Sequence, residues 1–316
     1  MKLLVVIASY RAKQLTLDCL KSLQGEVTAN PGIKVGICEN GNEDDTAEFL
    51  SQAIAENGWQ DWAYIKSVMP NRGFSGGNNV ILNDALKSEI EYDFFLLLNA
   101  DTVVRPGTIS RLLEAANADT ACGIVGPRIE GIEGDPQVSC FRYISPLSEI
   151  IRSARTGPVT RLLRNWDVPI QPDEPSAPFD WTSFCCALIR REVMQEIGVL
   201  DEKYFLYFDD VDYCRSARNA GWKIIHVPEA VVVHYEGQSN PVVENARKME
   251  RRPPYWYVSR SWYFTKFYGK PGLVLANLCW YGGRSISLLR ELLGNKKPHV
   301  CAFEWLDIWK GFFIAK

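Results

Sequence analysis

Short apolar runs alternate with amphipathic stretches through the first part of the chain. Leu3–Ala8, Ile33–Cys38, Trp62–Val68 and Phe94–Leu98 read as buried strands. Between them, Thr16–Gln24 reads as a helix with Leu17, Leu20 and Leu23 on one side, and Thr46–Asn57 and Asn78–Lys87 read as two more. Pro106 opens a further helix through Ala116, a favoured place for proline. This alternation predicts an α/β fold with a mostly parallel central sheet flanked by helices. From 131 to 178 periodicity fades and Pro and Gly recur, as expected for a flap or excursion. Order returns at Trp181–Ile189, followed by a helix at Glu192–Ile197 and the run Tyr204–Phe208 before an acidic cluster. A helix at Asp212–Ala220 and strands at Lys223–His226 and Ala230–His234 complete the pattern. From about Ala246 the chain reads as aromatic-rich helices. The expected division is a sheet domain over 1–240 and a C-terminal helical extension over 241–316.

Composition adds little until charge is split by position. The 316 residues are 47% apolar and 23% charged, ordinary for a globular chain with ample core. The net charge of −3 gives no reason to expect nucleic acid as a partner. Residues 241–316, however, hold 13 Lys+Arg against 5 Asp+Glu, a net +8, and residues 1–240 hold 22 against 33, a net −11. Half of the ten Trp lie in that basic segment: Trp256, Trp262, Trp280, Trp305 and Trp309. Basic residues among aromatics suit an interfacial helix on an anionic membrane; a homodimer interface or a helical cap on the core fits the same composition. Nine Cys without metal-ligand spacing imply reduced, mostly buried thiols and a cytoplasmic setting. Leu3 to Ala8 is too short for the apolar core of a signal peptide. Arg284 and Arg290 interrupt the apolar stretch that comes nearest to a spanning length.

Candidate chemistry lies at predicted strand ends. Ser9-Tyr10-Arg11, Glu39-Asn40-Gly41-Asn42, the segment from Asn71-Arg72-Gly73 to Asn78-Asn79, and Asn99-Ala100-Asp101 would all open on one edge of a parallel sheet. That edge is the ligand crevice of such folds. Asp101 there can hold a divalent cation on a substrate diphosphate, although Asx residues also end strands for plain turn reasons. The Gly/Asn segment lets backbone approach a ligand ahead of a helix N-terminus, or is a tight turn with an Asn cap. Asp209-Asp210-Val211-Asp212 crowds three carboxylates, which raises some of their pKa values and suits a general base. The same cluster also suits a helix start, with Asp212 its structural member. Arg215 and Arg218 would face a diphosphate or pair with the cluster. His234 closes a strand as a candidate metal ligand.

Taken together these segments resemble the inverting glycosyltransferases of family 2, with the GT-A (Rossmann-like) fold, and within them the bacterial rhamnosyltransferase-type branch. The matching residues are Val5-Val6-Ile7-Ala8-Ser9-Tyr10, Glu39-Asn40-Gly41, the Asn71–Asn79 segment and Leu97-Leu98-Asn99-Ala100-Asp101. They continue through Leu188-Ile189-Arg190-Arg191-Glu192, Phe205-Leu206-Tyr207-Phe208-Asp209-Asp210-Val211-Asp212-Tyr213-Cys214, Gly221-Trp222 and His234-Tyr235-Glu236-Gly237-Gln238-Ser239. The resemblance implies that Asp101 and His234 hold Mg²⁺ or Mn²⁺ and that Glu39 contacts the nucleotide base. It implies that Asp210, with Asp209 beside it, is the catalytic base. Ser9, Tyr10, Arg11, Asn40, Arg72, Gly73, Asn78, Asn99 and Ala100 would line the nucleotide-sugar site, and Trp181 and Phe184 the acceptor side. Asn99 stands where the family's metal motif has its first Asp, and Phe184 where relatives often have Gly.

The implied reaction moves one sugar, with rhamnose a candidate, from a nucleoside-diphosphate sugar to a hydroxyl of a saccharide or lipid-linked acceptor in polysaccharide or glycolipid synthesis. The missing Gln-x-x-Arg-Trp motif of processive relatives favours a single addition. A non-catalytic sugar-nucleotide-binding relative is the alternative. A dinucleotide oxidoreductase would need Gly-x-Gly-x-x-Gly after the first strand, where Ser9-Tyr10-Arg11-Ala12 stands.

Overall fold

The computed structural model describes residues 1–172, 177–235, 245–294 and 300–313. Their first elements are β1 (Leu3–Ser9), α1 (Lys13–Ala29), β2 (Ile33–Asn40), α2 (Thr46–Glu56), β3 (Ala63–Val68), α3 (Gly73–Lys87), β4 (Phe94–Leu98), β5 (Thr102–Val104) and α4 (Thr108–Ala118). Then come β6 (Cys122–Glu130), β7 (Pro136–Gln137), β8 (Cys140–Phe141), α5 (Pro146–Ala154), α6 (Gly157–Leu162), β9 (Trp181–Thr182), β10 (Cys186–Arg190), α7 (Arg191–Ile197), α8 (Asp209–Asn219) and β11 (Lys223–His234). A long helix, α9 (Pro254–Gly294), and the short α10 (Glu304–Asp307) follow.

The main sheet runs β3-β2-β1-β4-β10-β6-β11-β5, with β7 on β6. Strands β1 to β4, β6 and β11 point one way; β10 runs against both of its neighbours and β5 against β11. The register aligns Ser9 with Glu39, Asn40 with Val68 and Val6 with Leu97. The C-terminal ends of the parallel strands therefore share one edge. Continuous apolar strands such as Leu3–Ile7 and Phe94–Leu98 are buried on both faces, as a helix-covered parallel sheet requires.

Several boundaries differ from the pattern-based expectation. β6 carries no clean strand signal because Gly123, Gly126 and Pro127 interrupt it. Those glycines answer to packing: a Cβ on Gly123 would lie 2.7 Å from Val193 Cγ2, and one on Gly126 would run into Thr182. α3 starts at Gly73, so the Gly/Asn segment is helix rather than loop; a Cβ on Gly77 would lie 2.7 Å from Asn40 Nδ2. α8 starts at Asp209, which puts the acidic cluster in its first turn. The two strands expected at 223–234 are one, with its register broken between Val227 and Val231, where Pro228 has no N–H to give the ladder. The stretch expected as an excursion holds β7, β8, α5 and α6.

Two compact units emerge. The first comprises Met1–Cys140, Gln171–Glu202 and Asp210–Glu236, and carries the main sheet. The second comprises Phe141–Ile170, Lys203–Asp209 and Gly237–Lys316. In it, α5 opens with Pro146 and a reciprocal cap between Ser145 and Ser148, and lies along α9. Gly283 permits the close approach, since a Cβ there would sit 2.3 Å from the Ile150 carbonyl oxygen. α9 is broken at Gly269 (φ 68°), and Pro271 opens its second half. All nine cysteines are reduced and eight are buried.

Candidate functional site

On the shared strand edge, two candidate metal ligands from distant parts of the sequence meet. β5 and β11 pair so that His234 lies opposite Thr102, and the Tyr235 N–H donates to the Asp101 carbonyl (2.9 Å). His234 Nε2 stands 3.4 Å from Asp101 Oδ1, with both side chains mostly buried. Among the described residues, no group of three or more His, Cys, Asp or Glu is placed to hold a metal ion. The remainder of the motif after His234, Glu236-Gly237-Gln238-Ser239, lies outside the described residues.

A second convergence surrounds residues 183–185. The Asn99 N–H donates to the Cys185 carbonyl (2.8 Å). The Phe184 backbone N–H and the Val211 N–H, the latter at 2.8 Å, both donate to the Asp210 carboxylate. The Asn99–Asp101 strand end and Asp210 are thus tied to the same short turn. Burial pushes the Asp210 carboxyl up to about 6, against these amide bonds, which pull it down. Tyr207 and Phe208, immediately before the pair, both have left-handed backbones (φ 68° and 69°). Two consecutive strained residues of that size are held only where surrounding structure enforces them. Asp209 is buried, and Asp212 is buried with its Oδ1 accepting from Ser216 Oγ (3.5 Å).

The other candidates hold the edge together. Ser9 is buried and shares a hydrogen bond with Thr16 (2.8 Å). Arg11 adopts φ 51°, its N–H donates to Asn42 Oδ1 (2.6 Å), and its guanidinium lies over the Tyr10 ring (5.1 Å). Glu39 is buried, and its Oε1 accepts from both the N–H and Nδ2 of Asn42 at 2.7 Å. Asn40 links β2 to the start of α3: its Oδ1 accepts from the Arg72 N–H (3.0 Å) and its Nδ2 donates to the Gly73 carbonyl (2.8 Å). Ala100 is buried. Asn78 is 1% exposed, and its Nδ2 donates to the Phe74 carbonyl within α3 (2.9 Å).

Other candidates have partners within the protein. The Arg72 guanidinium pairs with Glu202 (2.8 Å), a partner no motif pointed to. Asn79 grips the backbone of Leu200 from both ends of its amide. Arg218 donates to the carbonyls of Asp180 and Phe179 at 2.8 and 3.0 Å. The Phe184 ring is buried edge-on against Tyr213 (5.9 Å), so its backbone amide is what reaches the site. Trp181 is buried on β9.

Residues 2–252 match the glycosyltransferase-like family 2 pattern, and the chain belongs to that family. The N-acetylglucosaminyl-diphospho-decaprenol L-rhamnosyltransferase of Mycobacterium tuberculosis is 34% identical over 154 residues, 46% of this chain and 48% of the relative. The low-salt glycan biosynthesis hexosyltransferase of Haloferax volcanii is 29% identical over 148 residues, 47% of this chain and 44% of the relative. The matches span about half the length of these curated relatives. Among solved structures, the mannosyltransferase of Pyrobaculum calidifontis in complex with GDP-Man and Mn²⁺ aligns with a TM-score of 0.55 at 15% identity, over 99% of this chain and 85% of that one. GalNAc-T7 with UDP, GalNAc and Mn²⁺ aligns with a TM-score of 0.59 at 15% identity, over 99% of this chain and 57% of that one. The fold is that of the GT-A glycosyltransferases.

Proposed function

We propose that this chain moves one sugar from a nucleoside-diphosphate sugar to a hydroxyl acceptor, inverting the anomeric carbon. The observation that supports this reading most is the pair of ties to the 183–185 turn, one from Asn99 and one from the Asp210 carboxylate. Asp210 removes the proton from the acceptor hydroxyl. That oxygen attacks the anomeric carbon, and the nucleoside diphosphate leaves from the opposite face. A carboxyl raised to about 6 is a stronger base than an ordinary Asp and is still ionised at neutral pH. Glu39 would meet the nucleotide base and Asn99-Ala100-Asp101 the diphosphate.

Asp101 and His234 would hold Mg²⁺ or Mn²⁺. A carboxylate oxygen and an imidazole nitrogen 3.4 Å apart on paired strands suit one such cation, with further ligands drawn from the diphosphate and water. When bound, the cation offsets charge on the departing diphosphate. The mycobacterial relative, named for rhamnose transfer to a decaprenol-linked acceptor, supports rhamnose as the sugar and a lipid-linked acceptor.

The test is Asp210→Asn. With fold and donor binding retained, sugar transfer falls by roughly 10²–10⁴-fold; transfer near the wild-type rate would remove Asp210 from the base role. Nucleotide-sugar hydrolysis measured with and without Mn²⁺ separates an active enzyme from a relative that only binds the donor.

A further inference from the structure

The second unit holds a cavity of about 370 Å³, within the size range of small-ligand sites. Ile144, Ile151, Val168, Phe208 and Trp256 give it apolar walls, and the last two rings meet edge to face at 5.6 Å. Some of its polar lining is already committed. Glu149 and Arg152 pair with each other (2.7 Å), and the Ser148 hydroxyl belongs to the cap of α5. Arg155, Thr160 and Asp167 line the same cavity and are not committed. Among the described residues, the Arg155 guanidinium and the Thr160 hydroxyl make no hydrogen bond or ion pair. The Asp167 carboxylate accepts the Val168 N–H and has no ion pair.

Two further observations single out an anion. Arg155 ends α5 with a left-handed backbone (φ 43°), where glycine would be unstrained. Strain at a residue of that size points to a use for its side chain. The ionic cluster beside it carries one cation in excess: Arg152, Arg252 and Arg260 share Glu149 and Glu304. Arg155 adds another. A bare phosphate would be drawn to these guanidiniums but repelled by Asp167. A phosphate carried on a hydroxylated ring satisfies both, because the ring hydroxyls donate to the carboxylate.

We propose that this cavity receives a saccharide phosphate of the acceptor, with the phosphate on Arg155 and ring hydroxyls on Asp167 and Thr160. Phe208, in the cavity wall, stands two residues before Asp210 in the chain. The acceptor role rests on the transferase reading; the binding does not.

Calorimetric titration of the full chain with the 1-phosphates of glucose, galactose and N-acetylglucosamine, and with inorganic phosphate, tests it. At least one sugar phosphate binds, and binds more tightly than inorganic phosphate. Arg155→Gly, which suits the left-handed backbone, weakens that binding by about tenfold without lowering the unfolding midpoint. Asp167→Ala narrows the preference over inorganic phosphate. No binding of any sugar phosphate, undiminished binding by Arg155→Gly, or equal binding of inorganic phosphate overturns the assignment. Nucleotide-sugar hydrolysis separates this from the transferase reading. Hydrolysis without sugar-phosphate binding overturns the cavity assignment and leaves the transferase. Binding that Arg155→Gly weakens, in a chain that hydrolyses no nucleotide sugar, keeps the site and overturns its acceptor role.

Discussion

In the base role proposed for it, Asp210 would trade stability for chemistry. Its carboxyl is pushed from the usual 3.8 up to about 6 by burial, so the native state holds this proton more tightly than the unfolded chain. The stability linked to that proton is fully present below about pH 4 and is lost as pH rises through about 6. Two expectations follow. Transfer loses rate as pH falls through about 6, because the base is then protonated; a pH profile of kcat/KM without a limb near there would contradict the assignment. Asp210→Asn gains on the order of 1–3 kcal/mol of stability at pH 8 and little at pH 4, read by urea unfolding at both values. The sequence made Asp210 and Asp101 visible through residue type and strand-end position. It did not show that His234 would lie 3.4 Å from Asp101, or that the Phe184 amide would support Asp210. The first depends on strand pairing and the second on an amide-to-carboxylate bond, each between remote segments.

Elements that the apolar pattern announces are those whose two sheet faces are both buried, such as β1 and β4. Elements it hides are governed by a neighbour. β6 is a central strand with glycines because α7 and β9 leave no room for a Cβ. The start of α4 is set in the same way. Gly107 adopts φ 76°, and Glu26 of α1, only 4% exposed, accepts hydrogen bonds from the N–H groups of Gly107 and Ile109, the latter at 3.0 Å. A helix start is thus capped by a carboxylate some eighty positions earlier, which no local capping signal reveals. Glu26→Ala leaves two helix-start donors unpaired in a buried place and lowers stability by about 2 kcal/mol; Glu26→Gln, which keeps one acceptor, costs about half of that. Equal midpoints in urea for both variants and wild type would show that water replaces the cap without loss.

At the scale of the whole molecule, the two units are stabilised by different means. The first rests on a large apolar cluster running from Leu3 and Ile7 to Val232. The second has a smaller apolar cluster, Tyr257, Trp280 and Ile308, and a buried ionic one. Arg260 is fully buried; its guanidinium meets Glu149 (2.9 Å) and Asn277 (2.8 Å). Glu149 also meets Arg152 (2.7 Å), and Arg252 joins through Glu304 (3.1 Å). Burial would raise the Glu149 carboxyl, but the two guanidiniums overcome it and hold it down at about 2. The stability this carries is therefore present above the ordinary carboxylate range and lost as pH falls toward about 2. Such a network is costly to break by halves. Glu149→Ala leaves Arg260 with an uncompensated buried charge and costs about 3–5 kcal/mol, whereas the apolar pair Glu149→Leu/Arg260→Met loses much less or nothing. Unfolding followed by near-ultraviolet circular dichroism reads both, because Trp256 lies within 5.3 Å of the Arg152 guanidinium and reports on this unit. If the double variant is as damaged as Glu149→Ala, the network contributes net stability rather than only specifying how α5, α9 and α10 meet.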